Sequence, residues 1–374
     1  MSAIAELPTP CLLLEQSRLD RNLAQMAERM RSLKVDLKPH LKTAKSAEIA
    51  TRATAGFSGG ITVSTLAEAA YFAKAGFRDL TYAVGIVPAK LDEAAALMES
   101  GVSLTLVTDH PAGAKAVGEH GRRRGRRYSL LIEVDTGAGR AGVDPNSGLL
   151  VEVARAIIEN GSELVGVLTH AGHSYWSKGV AELRVLAEQE RAGVTAAADR
   201  LRQAGFPCAR VSAGSTPTAV FAEDLTGVTD MRPGVYMFGD LMQSAIGTCA
   251  VDDIAVSVLA SVVGIYPERN QVLIDAGSLD LSADRSAASV LPDTGYGWVT
   301  DVAGRRLDGL FVERMHQEHG FVTAKAPLPF EKLEIGTRVR ILPNHACITA
   351  AAYDRYHVLK DGRVVAEWER VNRW

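Results

Sequence analysis

The stretch LPNHACITAAAYDRY, residues 342 to 356, sets an imidazole two residues from a thiol. If the apolar run before it continues as a strand, His345 and Cys347 face the same side. A nitrogen and a sulfur presented together suit a divalent metal ion, zinc first and manganese second. Two protein ligands leave positions for water and substrate, which is the arrangement of a catalytic site rather than a closed structural one. The alternative for an isolated H-x-C is a small buried cysteine beside a hydrogen-bonded histidine.

A second set of chemically able residues lies upstream. PHLKTAK offers His40, Lys42 and Lys45, and EVDTGAGR offers Asp135 and Arg140. THAGHSY offers His170, His173 and Tyr175, and RPGVYMF contains Gly234 and Tyr236. In SAGSTPT, residues Gly214, Ser215 and Thr216 have the character of an anion site. Small residues admit the ligand, hydroxyls donate, and a following helix start adds a favourable dipole. An ordinary capped turn is the alternative. A lysine together with a phosphate cradle points to a phosphorylated carbonyl cofactor held as a Schiff base, and pyridoxal phosphate fits that description.

These residues need elements to hold them. From about residue 18 to 240, apolar strand-like runs alternate with helical patterns, giving about eight strand candidates in the order of parallel βα units. The spacing predicts an α/β fold, a (β/α)₈ TIM-type barrel over residues 18–245. A doubly wound sheet is the runner-up, because periodicity does not decide closure. In such a barrel functional residues collect at the C-terminal strand ends, where all five upstream segments fall. SRLDRNLAQMAERMRSL reads as a helix with Ser17 as its N-cap. After about residue 250 helix is scarce, which predicts a C-terminal, mostly antiparallel β domain over residues 246–374. Residues 1–17 are expected to join it through TPCLLLEQ, and Asp361-Gly362 marks a hairpin.

Composition narrows the partners. A net charge of -3 over 374 residues argues against a polyanionic partner. The basic run GRRRGRRY reads as a solvated helix-to-strand loop, not a nucleic-acid patch. The four cysteines lack redox or finger spacing, which favours a reducing compartment. Neither a leader pattern nor an apolar run of membrane length is evident, so a cytoplasmic protein without membrane or nucleic-acid partners is expected.

Taken in order, these motifs resemble those of the fold-type III pyridoxal phosphate enzymes of the D-serine dehydratase and D-threonine aldolase group, relatives of the alanine racemase barrel. PHLKTAKS resembles the cofactor-lysine motif, EVDTGAGRAGV the segment bearing an active-site arginine, and PNHACITAAAYDRYHV the metal motif of D-serine dehydratases. The resemblance implies that Lys42, rather than Lys45, carries the cofactor. It also implies that His40, Arg140, Gly214, Ser215, Thr216, Gly234 and Tyr236 surround the cofactor and that His345 and Cys347 bind the metal. Catalytic parts fall to Lys42, Arg140, His173 and Tyr175. A homodimer is implied as well. Aldolases of the group usually carry H-x-D where this chain has Cys347, which favours the dehydratase branch. One departure is Ala44, where many relatives have histidine.

The activity this implies is metal-assisted elimination from a D-3-hydroxy amino acid, D-serine first, giving pyruvate and ammonia. The alternatives are a D-threonine or 3-hydroxyaspartate-type aldolase, an amino-acid racemase, and a non-catalytic pyridoxal phosphate-binding protein.

Overall fold

The computed structural model describes residues 2–372. It divides into two compact units, one of Gln25–Gly234 and one of Val235–Asn372 with the N-terminal residues up to Ala24. Along the chain, β1 (Ser2–Ala3) and β2 (Cys11–Glu15) come first. Next come β3 (Asp36–Leu37), β4 (Ile61–Val63), β5 (Asp79–Gly85) and β6 (Ser103–Thr108). β7 (Ser129–Val134), β8 (Glu163–Thr169), β9 (Arg210–Ala213) and β10 (Asp230–Met231) follow.

Strands β3 to β10 form one parallel sheet in the order β3-β10-β9-β8-β7-β6-β5-β4. A parallel bridge between His40 and Thr62 joins its two ends. There the Thr62 amide donates to Pro39 O at 3.0 Å and the Leu41 amide to Thr62 O at 2.9 Å. The sheet therefore closes as a barrel rather than remaining doubly wound. The first strand, expected to run through VDLKPHLKT, is only two residues long. Pro39 lacks an N–H and interrupts the ladder, which resumes at His40. That interruption places His40 and Lys42 at the closing seam. Inside, Val107, Leu131 and Leu168 from neighbouring strands pack together, fully or almost fully buried. Each such side chain contributes about 1.5–3 kcal/mol on burial. Below them Arg210 grips Asp230 with two bonds of 3.0 and 3.1 Å and donates to Thr81 Oγ1 at 2.8 Å.

The other unit is built from β11 (Val256–Tyr266), β12 (Gln271–Ile274), β13 (Trp298–Thr300), β14 (Arg306–Met315) and β15 (Gly320–Thr323). β16 (Arg338–Leu342), β17 (Arg355–Lys360) and β18 (Arg363–Glu369) complete it. The order is β1-β18-β17-β2-β11-β12-β15-β14-β13-β16, and a further β11–β16 pairing closes six of the strands into a barrel. Strand β2, the TPCLLLEQ segment, pairs antiparallel with β11 and parallel with β17. Its Cys11 and Leu13 share a core with Leu259, Leu359 and Val364. Asp361 and Gly362 both take positive φ, 50° and 73°, between β17 and β18, as a two-residue hairpin requires.

Two local expectations need correcting. The first long helix is Gln16–Ser32, so Ser17 lies inside its first turn instead of capping it; β2 ends at Glu15 and leads straight into the helix. GRRRGRRY is not all loop. Arg122–Arg124 form the last turn of helix Pro111–Arg124, and Gly125 caps it in the left-handed region at φ 60°. Cations in a last turn complement the helix dipole, which accounts for the basic run. No helix among the described residues is long and apolar enough to cross a membrane.

Candidate active site

At the C-terminal ends of the barrel strands lies a cavity of about 200 Å³. His40, Lys42, Glu133, Arg140, His170, Gly214 and Arg232 are among the residues lining it. All five upstream segments singled out in the sequence thus converge, although they are separated by up to about 190 positions in the chain. Lys42 is exposed and lines the cavity. Lys45 is turned elsewhere: it adopts φ 49° and its Nζ lies 3.3 Å from Oε1 of Glu68, which is itself almost wholly buried.

Both histidines of the cavity are held neutral. His170 donates through Nδ1 to Gly214 O at 3.0 Å. Burial lowers its pKa to about 3, against the pull of that carbonyl and with help from Lys42 and Arg140. Burial and the Lys42 and Arg232 charges likewise push His40 well below the ordinary histidine range. Neutral imidazoles leave the cavity's positive charge to Lys42, Arg140 and Arg232, opposed by Glu133 alone among the lining carboxylates.

Arg232 forms the cationic floor. Its Nη1 donates to Ser212 Oγ at 2.5 Å and its Nη2 to Thr169 O at 2.5 Å, while Nε has no protein partner. Burial lowers its pKa to about 10, so it remains charged at neutral pH. Arg140 is 60% exposed and sits 3.5 Å from Glu133, whose side chain is 9% exposed. Burial raises the Glu133 pKa and Arg140 opposes the rise. Asp135, also a candidate by type, is spent on structure. Its Oδ1 accepts the amides of Gly137, Ala138 and Gly139 at 2.9, 2.8 and 3.2 Å, which shapes the loop that carries Arg140.

The small-residue turn is tightly bonded. Gly214 has φ 121°, and a Cβ there would meet the Arg232 amide nitrogen at 2.8 Å, so glycine is required. Its N–H donates to Glu190 Oε1 at 3.1 Å, and the Ser215 N–H to Thr218 Oγ1 at 3.0 Å. The Ser215 hydroxyl accepts from Thr218 N and meets Ser174 Oγ at 2.9 Å, all in a capping box. Thr216 is buried at the first position of the helix Thr216–Phe221. Gly234 lies against the lysine loop, where a Cβ would stand 2.8 Å from His40 O. His173 and Tyr175 occupy the turn after β8 and do not line the cavity. Both ring nitrogens of His173 are buried without a protein hydrogen bond, and the Tyr175 ring lies 6.3 Å from that of His170. Tyr236, expected near the last strand, belongs to the other unit; it is buried, which raises the pKa of its phenol.

The metal motif does not lie on a strand. β16 ends at Leu342, and His345 is the N-cap of the helix Ala346–Ala350 with φ −139° and ψ 101°. Pro343 ends the ladder, and the Asp240 carboxylate accepts the Ala346 amide at 3.0 Å, which starts the helix there. Within a helix positions i and i+2 diverge, but the extended backbone of His345 brings its ring and the Cys347 thiol into hydrogen-bond contact. His345 Nδ1 lies 2.7 Å from Asp284 Oδ2. Burial disfavours charge on this ring, yet Asp284 and Cys347 outweigh it and raise the pKa to about 11. Surroundings that stabilise a proton's charge so strongly also favour a divalent ion, and the imidazole–thiol pair is a donor set that fits one. Among the described residues no group of three His, Cys, Asp or Glu side chains is placed to hold a metal.

Residues 14–242 match the family described as alanine racemase, N-terminal domain, and residues 255–359 match a putative serine dehydratase domain. The D-threo-3-hydroxyaspartate dehydratase of Delftia sp. (strain HT23) is 43% identical, over 98% of both chains. The chain belongs to the fold-type III pyridoxal phosphate enzymes of the D-serine dehydratase group. Like them it is a lyase. D-serine dehydratase of Dictyostelium discoideum is 34% identical over 99% of this chain and 98% of its own. Relatives named as aldolases match at lower identity. Among solved structures, a mutant of the D-threo-3-hydroxyaspartate dehydratase in a metal-free form superposes with a TM-score of 0.97 at 42% identity, with both chains fully covered.

The barrel cavity fits the cofactor of this group. It offers a lysine amine, a buried guanidinium whose Nε lacks a protein partner, and an excess of positive charge for an anionic ring compound. Sequence reasoning missed Arg232, Glu133, Glu190 and Asp284. Arg232 directly follows the last barrel strand, so the strand-end rule could have found it. Glu190 falls in register with Leu183, Ala187 and Val194 on the buried stripe of helix Val180–Gln203, and a charge there is a signal. Asp284 leaves no local mark.

Proposed function

We propose that this chain is a pyridoxal phosphate- and metal-dependent dehydratase of D-3-hydroxy amino acids. D-threo-3-hydroxyaspartate is its preferred substrate and D-serine the second. The observation that carries this reading is the lysine in a barrel cavity whose three cations face one carboxylate, with both imidazoles neutral. Such a cavity suits an anionic cofactor and a substrate with more than one carboxylate better than serine alone. The identity to the hydroxyaspartate enzyme supports the same order. We further assign it as an intracellular homodimer, consistent with four free cysteines.

When bound, the cofactor supplies an electron sink for charge that develops at Cα. A divalent ion held by His345 and Cys347, zinc before manganese, supplies a Lewis acid for the departing hydroxyl. Lys42 anchors the cofactor and then, as a free amine, removes the Cα proton. Arg232 presents a fixed donor and a positive charge from the cavity floor. Arg140, braced by Glu133, receives a substrate carboxylate. His40 and His170, kept neutral, add no competing charge. Phosphate falls to the Gly214–Thr216 turn with Gly234 and Tyr236. Because the Gly214 and Ser215 amides are already bonded, those two N–H groups are not the donors as the turn stands. His173 and Tyr175, which do not line the cavity, act on the substrate only through the loop that carries His170. The enamine released by elimination hydrolyses to a 2-oxo acid and ammonia.

The test is product analysis on D-threo-3-hydroxyaspartate, D-serine and D-threonine with the cofactor- and zinc-loaded protein. Oxaloacetate with ammonia, and a higher kcat/KM than for D-serine, are expected. Glycine with glyoxylate would establish the aldolase, and inversion without cleavage a racemase. Better turnover of D-serine would overturn the substrate order.

A further inference from the structure

We propose that Asp284 is the positioning residue of the metal pair, fixing which nitrogen of His345 binds the ion and where that nitrogen points. This rests on the reading of His345 and Cys347 as metal ligands. An ionised carboxylate only accepts hydrogen bonds, so the 2.7 Å contact with Asp284 Oδ2 makes His345 Nδ1 the N–H. When an ion displaces the ring's other proton, the lone pair is left on Nε2, and Nε2 is the ligand atom. Without that partner either nitrogen can carry the proton, and the ring can turn about its χ2.

Asp284 is itself held from several directions. Its Oδ1 accepts the Ser286 amide at 2.7 Å, and its own amide donates to Ser282 Oγ at 3.0 Å. Its carbonyl accepts from Asn344 Nδ2 at 3.1 Å, and that same Nδ2 donates to Gly295 O at 2.8 Å. Asn344 is 2% exposed. Two consecutive residues therefore grip one aspartate: Asn344 binds its backbone and His345 its side chain. At the other side of the motif, Asp240 holds the Ala346 amide, so the segment bearing both ligands is gripped by protein contacts on either side. The carboxylate also makes the imidazole a better donor and adds negative charge beside a divalent cation. Partners of this kind change metal affinity about 10–100-fold in other sites.

The experiment is zinc titration of the cofactor-loaded full chain against a chromophoric chelator, for wild type, D284A and D284N. Cobalt(II) spectra of the same proteins follow. D284A is expected to weaken zinc binding about 10–100-fold and to broaden or shift the cobalt bands, while the visible band of the cofactor stays in place. D284N, which retains an oxygen for Nδ1–H but not the charge, should lie between the two and keep a cobalt spectrum closer to wild type. A purely structural role would give D284A and D284N the same loss in proportion to their lowered thermal midpoints, and that pattern would overturn the proposal. So would zinc affinity in D284A within about twofold of wild type, well inside the change expected of such a partner. If the wild-type chain binds no zinc or cobalt, the metal-ligand reading itself falls, and this inference with it.

Discussion

Glu190→Ala is expected to disturb the barrel site although Glu190 is not itself among the residues lining the cavity. Glu190 is 1% exposed, and its Oε1 accepts both the Ala171 amide at 2.8 Å and the Gly214 amide at 3.1 Å. Those amides belong to the two loops that follow β8 and β9, so one oxygen ties the His170 loop to the small-residue turn. Alanine would strand both N–H groups in a buried place. Each costs about 1–3 kcal/mol, or about 2–6 kcal/mol for the pair. The wild-type carboxylate is itself disfavoured by burial, which raises its pKa, and removing it returns part of that cost. A net loss of about 2–4 kcal/mol is therefore expected. Glu190→Gln keeps an acceptor oxygen in the same place and should lose less than about 1 kcal/mol. Calorimetry of the barrel transition measures the stability loss. Titration of the apoprotein with pyridoxal phosphate measures the effect on the site, where about 1.4 kcal/mol corresponds to tenfold in affinity. Equal losses in the two variants would show that oxygen acceptance is not what Glu190 provides. An unchanged Glu190→Ala protein would refute the reasoning outright.

Lys42→Ala should lose the visible cofactor band and turnover, and borohydride treatment of wild type should leave the modified lysine at position 42. Lys45→Ala should retain the band but lower the barrel transition, because it breaks the pair with buried Glu68; an adduct at Lys45 would reverse the assignment. His170 is depressed to about 3, whereas an unfolded histidine titrates near 6.5. Between those values the unfolded chain binds a proton that the folded chain does not. Its contribution to stability is thus complete above about pH 6.5 and declines as pH falls toward 3. His170→Asn should flatten the fall in thermal midpoint between about pH 6.5 and 4, and an identical slope in both proteins would exclude this role.

The chemistry on offer can be read from short local segments. Lys42, Arg140, His170 and Gly214 were recognisable because each lies just past a strand-like run, and strand ends are a local property. The hairpin at Asp361-Gly362 and the capped turn offered as one reading of Gly214–Thr216 are legible for the same reason: a few adjacent residues carry the whole signal. His345 and Cys347 were legible as a pair, but not as a helix start. That start depends on Asp240, about a hundred positions away, accepting one amide.

What those residues meet depends on how the elements pack. Closure of the barrel rests on the His40–Thr62 bridge, and a two-residue first strand interrupted by proline carries no periodicity from which to foresee it. Arg232 became a cationic floor only because β10 lies beside both β9 and β3. Glu190 became a clasp only because its helix packs behind two separate loops. Asp284 and His345 are 61 positions apart, joined by the way a loop folds back. Hydrophobic pattern specifies which face of an element is buried, but not which buried face it will oppose. Buried polar groups must find partners across that unspecified gap, so the site's supporting contacts are properties of the packed chain.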